Sequence, residues 1–287
     1  MAYEIIVVND GSTDGGGELV AKLYGDKVSL IDQKNQGVSV ARNTGIAKAK
    51  FDYIAFLDAD DYWHPQYLEN MCHGISQFPE AGILGCSYAQ KVKDLGDIDE
   101  KGWKPQKDYF KKAIVNTLFF TSATVIKKEF FQKNQGFDAN LARGEDLDVW
   151  FRSIIYFGNP VYNFSKWVFY SSEDKVQATK IDFPLEKSLV YKILTPNYGD
   201  NLAADKSTEF IKFKDLYVYF KLYPFLKSPA NETKAKMLLK NINQQYFFLK
   251  LPYQVPYSII RKILEYSSFN DFYRNYLKFC TRYLYKV

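Results

Sequence analysis

The chain has 287 residues, of which 47% are hydrophobic and 25% are charged, and its formal net charge is +5. This composition excludes a wholly disordered chain, a collagen-like fibre and a small disulfide scaffold. No apolar run reaches the ~18 residues that a membrane-spanning helix needs, so none is predicted. The first residues show neither a basic segment nor a small-residue cleavage site, so we expect no signal peptide.

The three cysteines lie far apart in the sequence, at Cys72, Cys86 and Cys280, and only two histidines occur. A structural zinc site needs closely spaced Cys or His ligands, and no Cys-x-x-Cys pair is present. We therefore expect free, buried thiols and a reducing, cytoplasmic location.

Charge and aromatic content change along the chain. Residues 1–204 carry a net charge of −4, whereas residues 205–287 carry +9 and hold 20 of the 50 aromatic residues. The change predicts two domains, 1–175 and 176–287, the second being basic, aromatic-rich and mainly helical. Such a region favours either peripheral contact with the inner face of the cytoplasmic membrane or a helical unit with its own aromatic core. No nucleic-acid-binding motif is present, so no nucleic acid partner is expected.

Strands and helices alternate through the first half of the chain. Apolar, β-branched runs predict strands at residues 4–8, 28–31, 53–57 and 81–88. Capping and turn residues between them predict helices at residues 16–24, 38–50 and 65–77. The alternation indicates an α/β fold with a mostly parallel sheet covered by helices. Ligands of such sheets bind at the carboxyl ends of the strands.

An acidic cluster follows the predicted strand at residues 53–57. Asp58, Asp60 and Asp61 place three carboxylates within four residues, where they repel one another unless a cation lies between them. Carboxylate oxygens suit Mg²⁺ or Mn²⁺, which commonly take further ligands from substrate phosphates. The alternative interpretation is a solvated cap for the helix that begins near Pro65.

A second polar loop, residues 9–14, follows the first predicted strand. Asp10 is placed to accept a hydrogen bond from a base imide, and Gly11 allows the backbone to approach a ligand. A plain strand-to-helix cap explains the same residues equally well. The three glycines at 15–17 do not form the dinucleotide-binding pattern.

A third acidic pair, Glu145 and Asp146, precedes a helical apolar pattern. A carboxylate in the first turn of a helix is favoured in its ionised form and is able to act as a general base. Simple complementarity with the helix dipole is the alternative.

In this order and spacing, the chain resembles the family 2 glycosyltransferases of the GT-A fold. The motifs that carry the resemblance lie within residues 3–172, at 9–14, 35–37, 41–45, 56–61, 121–122, 136–138 and 144–146. The resemblance implies that residues 1–175 form a catalytic domain. It also implies transfer of a sugar, with inversion, from a nucleotide-diphosphate donor, most often a UDP-sugar. The same resemblance implies an acceptor that is a glycan or a lipid-linked molecule. It also implies a role in surface polysaccharide or lipopolysaccharide synthesis.

The resemblance also assigns roles to individual residues. Asp146, with Glu145 beside it, resembles the catalytic base. Asp60 and Asp61 resemble the ligands of a divalent ion, Mn²⁺ or Mg²⁺. The residues that resemble the nucleotide-sugar site are Asp10 at the base, Asp58 at the ribose, and Gly11, Ser12, Arg42, Asn43 and Ala59.

Two departures from the family pattern stand out. The family usually begins with an earlier strand and helix, and that strand lies inside the sheet. We therefore expect its neighbours here to lack a partner, unless the true start lies upstream or the sheet is completed in another way. In addition, residues 171–174 stand where many relatives place a metal-binding His, and no His follows His73.

Two other interpretations remain beside the transferase. An inactive truncated fragment, or a protein that binds sugar nucleotides without catalysis, is favoured by the first departure. A nucleotidyltransferase is expected to have a Gly-rich phosphate loop with a basic residue, which we do not find. Trp103 and Trp150 are candidates for stacking on a sugar ring, with a place in the core as the alternative.

Overall fold

The computed structural model describes residues 2–96, 101–114, 117–171, 183–195, 198 and 204–285. The chain divides into two compact units, the first of residues 1–107 and 118–180, and the second of residues 108–117 and 181–287. The predicted boundary at residue 175 lies outside the described residues. The short segment 108–117 belongs to the C-terminal unit, which the sequence pattern did not indicate.

All strands of the described residues belong to the first unit. They are β1 (Ile6–Asn9), β2 (Ser29–Asp32), β3 (Tyr53–Ala55), β4 (Tyr62–Trp63), β5 (Ile83–Ala89), β6 (Lys104–Pro105), β7 (Thr124–Lys127) and β8 (Val161–Phe169).

The helices in chain order are α1 (Gly16–Tyr24), α2 (Val38–Lys48), α3 (Tyr67–Gln77), α4 (Tyr109–Ala113), α5 (Lys128–Lys133), α6 (Glu145–Phe157), α7 (Leu189–Lys192), α8 (Ala204–Leu222), α9 (Glu232–Lys240), α10 (Phe247–Lys250), α11 (Tyr257–Leu264) and α12 (Ser267–Phe279). Helix α4 and helices α7 to α12 belong to the second unit. The four strands and three helices predicted for the first half of the chain are present, with ends that differ by no more than two residues.

The strands form two sheets. Strands β1 and β2 pair in parallel as a separate two-stranded sheet, and the larger sheet has the order β3-β7-β5-β8-β4, with β6 also on β8. The α/β class is confirmed, but the larger sheet is mixed rather than mostly parallel, because β5 and β8 are its only parallel pair in the described part of the chain. Strand β7 lies between β3 and β5 and runs opposite to both.

Two strands have one open side. Within the described residues β1 pairs only with β2, and β3 pairs only with β7. This agrees with the expectation that the neighbours of the family's usual first strand lack a partner. The loop at 58–61 begins shortly after the end of β3, so the open side of this strand lies near the candidate site.

The main core of the first unit packs helix α3 against strands β5, β7 and β8. Trp103 contributes to this core and is 3% exposed, and Trp150 of α6 is fully buried. Burial at this level leaves neither ring a face for a sugar, so the core interpretation of both tryptophans is confirmed. The buried members of the core cluster are Tyr67, Met71, Ala81, Leu84, Cys86, Trp103, Ala123, Val125, Val161, Trp167 and Val168.

The second unit is helical throughout its described elements, as predicted for the C-terminal region. Helix α8 supplies much of its core, including the fully buried Phe210 and Phe213. Phe110 of α4 packs on both rings, at centroid distances of 4.8 and 5.0 Å. In the described parts of the chain, no helix combines the length and the apolar character that crossing a bilayer requires.

Candidate active site

Helix α2 positions the charged centre of the candidate site. The guanidinium of Arg42 donates to Asp58 Oδ1 at 2.8 Å and lies 3.4 Å from Glu145 Oε1. It also stacks over the Phe137 ring at 5.2 Å, and its side chain is only 13% exposed. Burial alone lowers the pKa of Arg42, but the nearby carboxylates outweigh it and raise the pKa, so the cation is held firmly.

Asn43, the next residue of α2, fixes a neighbouring loop. Its amide nitrogen donates to Phe137 O at 2.7 Å, and its amide oxygen accepts from Phe137 N at 2.8 Å. A side chain at Gly136 would collide with this amide, since a Cβ there would lie 2.3 Å from the Asn43 oxygen. These contacts give Gly136 and Phe137 a structural role, because the loop that contains them is held by the Asn43 amide. The nucleotide-binding role of Asn43 stays a prediction.

Thr44 links α2 to the loop after β1. Its hydroxyl donates to Gln33 Oε1 at 2.9 Å, and Gln33 Nε2 donates in turn to Asp10 Oδ1 at 2.7 Å. Asp10 also accepts from the backbone amides of Gln36 at 2.9 Å and Gly37 at 2.8 Å. Slight burial raises the pKa of Asp10, but these three hydrogen bonds outweigh it and the pKa is lowered.

Asp10 therefore stays ionised and holds the turn at residues 33–37. Beside it, Gly11 has a φ of +79°, and a Cβ there would lie 2.9 Å from Asn35 N, so only glycine fits without strain. Ser12 donates its backbone amide to Asn9 Oδ1 at 3.0 Å. The predicted base-binding residues thus form an ordered polar edge next to the amino end of α2.

The acidic loop is a tight turn built around one hydroxyl. Ser122 Oγ accepts from Asp58 N at 3.0 Å and donates to Asp61 Oδ2 at 2.5 Å. Asp61 N closes the turn on Asp58 O at 3.1 Å, and Ser171 N donates to Asp61 Oδ1 at 3.0 Å. Asp61 is 6% exposed, and its burial raises the pKa of the carboxyl.

The same turn leaves Ala59 and Asp60 exposed at its tip, while Asp58 is half-buried beside Arg42. The described residues contain no group of three or more His, Cys, Asp or Glu side chains arranged around a common point. A divalent ion here would need oxygens from a bound diphosphate, as Mg²⁺ sites commonly do. The donor set fits such an ion. Of the predicted segment 171–174, residues 172–174 lie outside the described residues.

Helix α6 begins at the other side of Arg42. Gly144 precedes it with a φ of +81°, which brings Glu145 and Asp146 into the first turn. Asp146 is half-buried, and its Oδ1 accepts from Leu147 N at 2.7 Å. Burial, followed by the charge of Glu145, raises the pKa of Asp146 to about 6, against the lowering effects of that hydrogen bond and of Arg42.

Two supporting residues were missed by the sequence reasoning. Asp148 is fully buried and pairs with Arg152 at 2.8 Å, and Arg152 NH2 also donates to Gly136 O at 2.7 Å. Ser122 is the second supporting residue. Its motif at 121–122 did not predict that its hydroxyl bonds to the acidic loop. The i,i+4 spacing of Asp148 and Arg152 was a readable signal for an ion pair on α6.

Arg42, Asp58 and the pair Glu145 and Asp146 therefore converge from three separate segments. Residues 1–135 match the sequence model of Glycosyl transferase family 2. The match covers just under half of the chain, whose first 135 residues are similar to this family.

An individual protein is also similar to the first part of the chain. An uncharacterized glycosyltransferase of Rickettsia prowazekii is 32% identical over 168 residues, which cover 55% of this chain and 52% of the relative. The chain thus spans about half the length of this curated relative.

Two solved structures share the fold of this chain. Residues 1–349 of TarS from S. aureus, in complex with UDP-GlcNAc, have a TM-score of 0.65 at 16% identity, over 96% of this chain and 82% of that one. The mannosyltransferase PcManGT from Pyrobaculum calidifontis, in complex with GDP-Man and Mn²⁺, has a TM-score of 0.53 at 14% identity, over 99% and 78%. The fold is that of the GT-A glycosyltransferases.

Proposed function

We propose that this chain is a metal-dependent, inverting glycosyltransferase that moves a sugar from a nucleotide-diphosphate donor to a hydroxyl acceptor. The observation that carries the proposal is the bridge of Arg42 between Asp58 and Glu145. It sets the loop that would hold the donor diphosphate next to a carboxyl whose pKa, about 6, suits a base. The similarity of residues 1–135 to the family 2 glycosyltransferases supports the same activity.

In the proposed reaction Asp146 accepts the proton of the acceptor hydroxyl while that oxygen bonds to the anomeric carbon. The bond from this carbon to the diphosphate oxygen breaks on the opposite side, and the nucleoside diphosphate leaves. Glu145 is held by Arg42, so Asp146 is the better placed of the two carboxylates. One displacement of this kind inverts the anomeric carbon and needs no covalent enzyme intermediate.

The bound ion would neutralise charge that develops on the leaving diphosphate. We propose Asp60 as its protein ligand, because Asp60 stands at the exposed tip of the turn. Asp61, the second predicted ligand, accepts hydrogen bonds at both of its oxygens, so we propose that it shapes the turn and contacts the ion only if the turn rearranges.

We propose a UDP-sugar as the donor and a glycan or lipid-linked molecule as the acceptor, in surface polysaccharide or lipopolysaccharide synthesis. The two similar structures are complexes with UDP-GlcNAc and GDP-Man, so we propose to test both UDP and GDP. We also propose that the protein is cytoplasmic, with peripheral contact at the inner membrane face.

The second candidate is a protein that binds sugar nucleotides without transferring sugar. The open sides of β1 and β3 favour it, since the family's usual first strand, which would add contacts to the nucleotide base, pairs with neither of them in the described residues. A donor that binds but is never consumed would identify this alternative.

The proposal is tested by thermal unfolding of the chain with UDP or GDP, each with Mn²⁺. A ligand present at 100 times its Kd stabilises the folded state by about 2.7 kcal/mol and raises the Tm. We expect an Mn²⁺-dependent rise that Asp60→Ala removes. Asp94→Ala, an exposed aspartate of the same unit, is the matched control and should keep the full rise.

A cooperative transition that neither nucleotide shifts would contradict the proposed donor site. A shift that survives Asp60→Ala would contradict the proposed ligand but not the nucleotide site. Release of UDP from a UDP-sugar, in the presence of acceptor extracts, then separates transfer from binding alone.

A further inference from the structure

A group of aromatic side chains near the C-terminal end of the chain is exposed. In the same unit Phe210, Phe213 and Tyr219 are fully buried, which is the usual place for such rings. Contiguous exposed apolar surface marks sites of interaction with proteins or membranes. The exposed rings, each 42–67% accessible, are Phe247, Phe248, Phe272, Phe279 and Tyr283.

The rings form one surface. Phe272, Tyr276, Phe279 and Tyr283 recur every three or four residues along α12 and the turn after it, so they follow one side of the helix. Tyr276 OH donates to Phe248 O at 2.8 Å, which places the start of α10 beside this stripe. The rings of Phe279 and Tyr283 are 5.2 Å apart, and those of Phe247 and Phe248 are 5.3 Å apart.

Helix α12 is anchored through a different side. Tyr273, Leu277 and Cys280 are buried, and the Tyr273 ring lies 4.7 Å from that of Tyr223. The exposed stripe is therefore not needed to hold the helix in place, and its rings remain available to another surface.

Basic residues form a second stripe on the same helix. Arg274, Lys278 and Arg282 recur every four residues on α12 and the turn after it, and Lys250 ends α10. Asp271 on the same helix lies 3.2 Å from Arg274. Residues 247–287 carry seven Lys and Arg against two Asp and Glu, so the segment is strongly positive.

We propose that this aromatic–basic face, the five exposed rings with Lys250, Arg274, Lys278 and Arg282, binds the surface of a bilayer that contains anionic phospholipid. Aromatic rings are favoured at the depth of the headgroups, and Lys and Arg are attracted to anionic lipids. Helix α12 has 13 residues, and we propose that it lies parallel to the bilayer surface, as amphipathic interfacial helices do. The inference rests on the proposed peripheral contact and is independent of the sugar transfer.

The test is flotation of the whole chain with vesicles of phosphatidylcholine alone or mixed with phosphatidylglycerol. We expect flotation only with the anionic vesicles, weakening as salt is raised. The double variants Phe272→Ser/Phe279→Ser and Lys278→Glu/Arg282→Glu should each lower binding by at least about tenfold.

Two matched variants control for general effects. Ile211→Ser/Met237→Ser removes exposed apolar side chains, 39% and 44% accessible, elsewhere in the second unit. Lys227→Glu/Lys240→Glu makes the same change in net charge at exposed positions away from the face. Both should bind vesicles like the unchanged chain, and the thermal transition of every variant reports whether it is folded.

Three outcomes would overturn the inference. Equal losses in the control variants would mean that net charge or general hydrophobicity acts, not this face. Absence of flotation, with the nucleotide-induced rise in Tm intact, would refute the face and leave the transferase proposal standing. If Phe272→Ser/Phe279→Ser abolishes self-association in sedimentation velocity and no vesicles bind, the face is a contact between copies of the chain.

Discussion

Glu145 and Asp146 are neighbours in sequence but differ in their surroundings. Glu145 lies 3.4 Å from the Arg42 guanidinium, whereas Asp146 accepts one backbone hydrogen bond and lies in the field of Glu145. A carboxyl whose pKa is near 6 is a stronger base than an ordinary aspartate and is still ionised at neutral pH. The first turn of α6 thus combines one carboxylate held by a cation with one suited to accept a proton.

We predict that Asp146→Asn lowers the rate of transfer by about 10²–10⁴, the usual contribution of a positioned general base. The Tm rise with UDP and Mn²⁺ should remain, because the residue does not hold the donor. Steady-state rates and thermal scans of the two proteins provide the comparison. A loss of the Tm rise would instead place Asp146 in donor binding, and an unchanged rate would exclude it as the base.

The pH dependence follows from the raised pKa of Asp146. The base acts when ionised, so the rate should rise with pH through about 6 and then level off. The effect on stability has the opposite direction. The folded state holds this proton more tightly than the unfolded chain, so the carboxyl's contribution to the free energy of unfolding decreases as the pH rises from ~4 to ~6. Urea unfolding of Asp146→Asn across this range should lack that part of the decline.

Among the elements, helix α2 contains the motif at residues 41–45, and most residues of this motif contact other segments of the first unit. Arg42 reaches the acidic loop and α6, Asn43 pins the loop at 136–137, and Thr44 leads through Gln33 to Asp10. Gly45 packs against β1, where an added Cβ would lie 3.6 Å from Val8. One helix therefore connects both polar loops, although only two of its residues are buried.

Helix α4 is short, yet it belongs to the core of the second unit. Phe110 is 4% exposed between Phe210 and Phe213, so its removal should leave a cavity. We predict that Phe110→Ala lowers the free energy of unfolding by about 3–5 kcal/mol.

The measurement for Phe110→Ala is urea unfolding followed by circular dichroism. Phe164→Ala is the matched control, since Phe164 is 57% exposed and its loss should change stability by no more than about 0.5 kcal/mol. Equal stabilities for the two variants would show that α4 adds nothing to the second unit.

At the scale of the whole molecule, the two units differ in construction and charge. The first carries the sheets and the polar loops, and the second is helical and contains the basic, aromatic C-terminal segment. Free thiols occur in both, with Cys86 and Cys280 buried and Cys72 half-buried. Burial raises the pKa of each thiol, which leaves little reactive thiolate at neutral pH.

We therefore predict that the native chain reacts slowly with an aromatic disulfide reagent at all three cysteines, and that denaturant releases three fast-reacting thiols. The absorbance of the released thiol gives the count in each state. Rapid labelling of two or more thiols without denaturant would contradict the buried positions of Cys86 and Cys280.

The α/β class, the elements of the first half of the chain and the motifs that resemble a family 2 glycosyltransferase could all be predicted from the sequence. Local signals were enough here, because strand periodicity, glycines and capping residues act over a few neighbours. The ion pair of Asp148 and Arg152 is equally local, because their i,i+4 spacing places both side chains on one side of α6.

Tertiary structure alone decided the mixed order of the larger sheet, the membership of α4 in the second unit, and the partners of each acidic residue. Hydrogen bonds such as Ser122 to Asp61, and the bridge of Arg42 to Asp58 and Glu145, join residues 16 to 103 positions apart. The raised pKa of Asp146 depends on the same long-range packing, since burial is its largest cause. Such contacts form only when separate segments pack together, and no local pattern in the chain encodes which of them will meet.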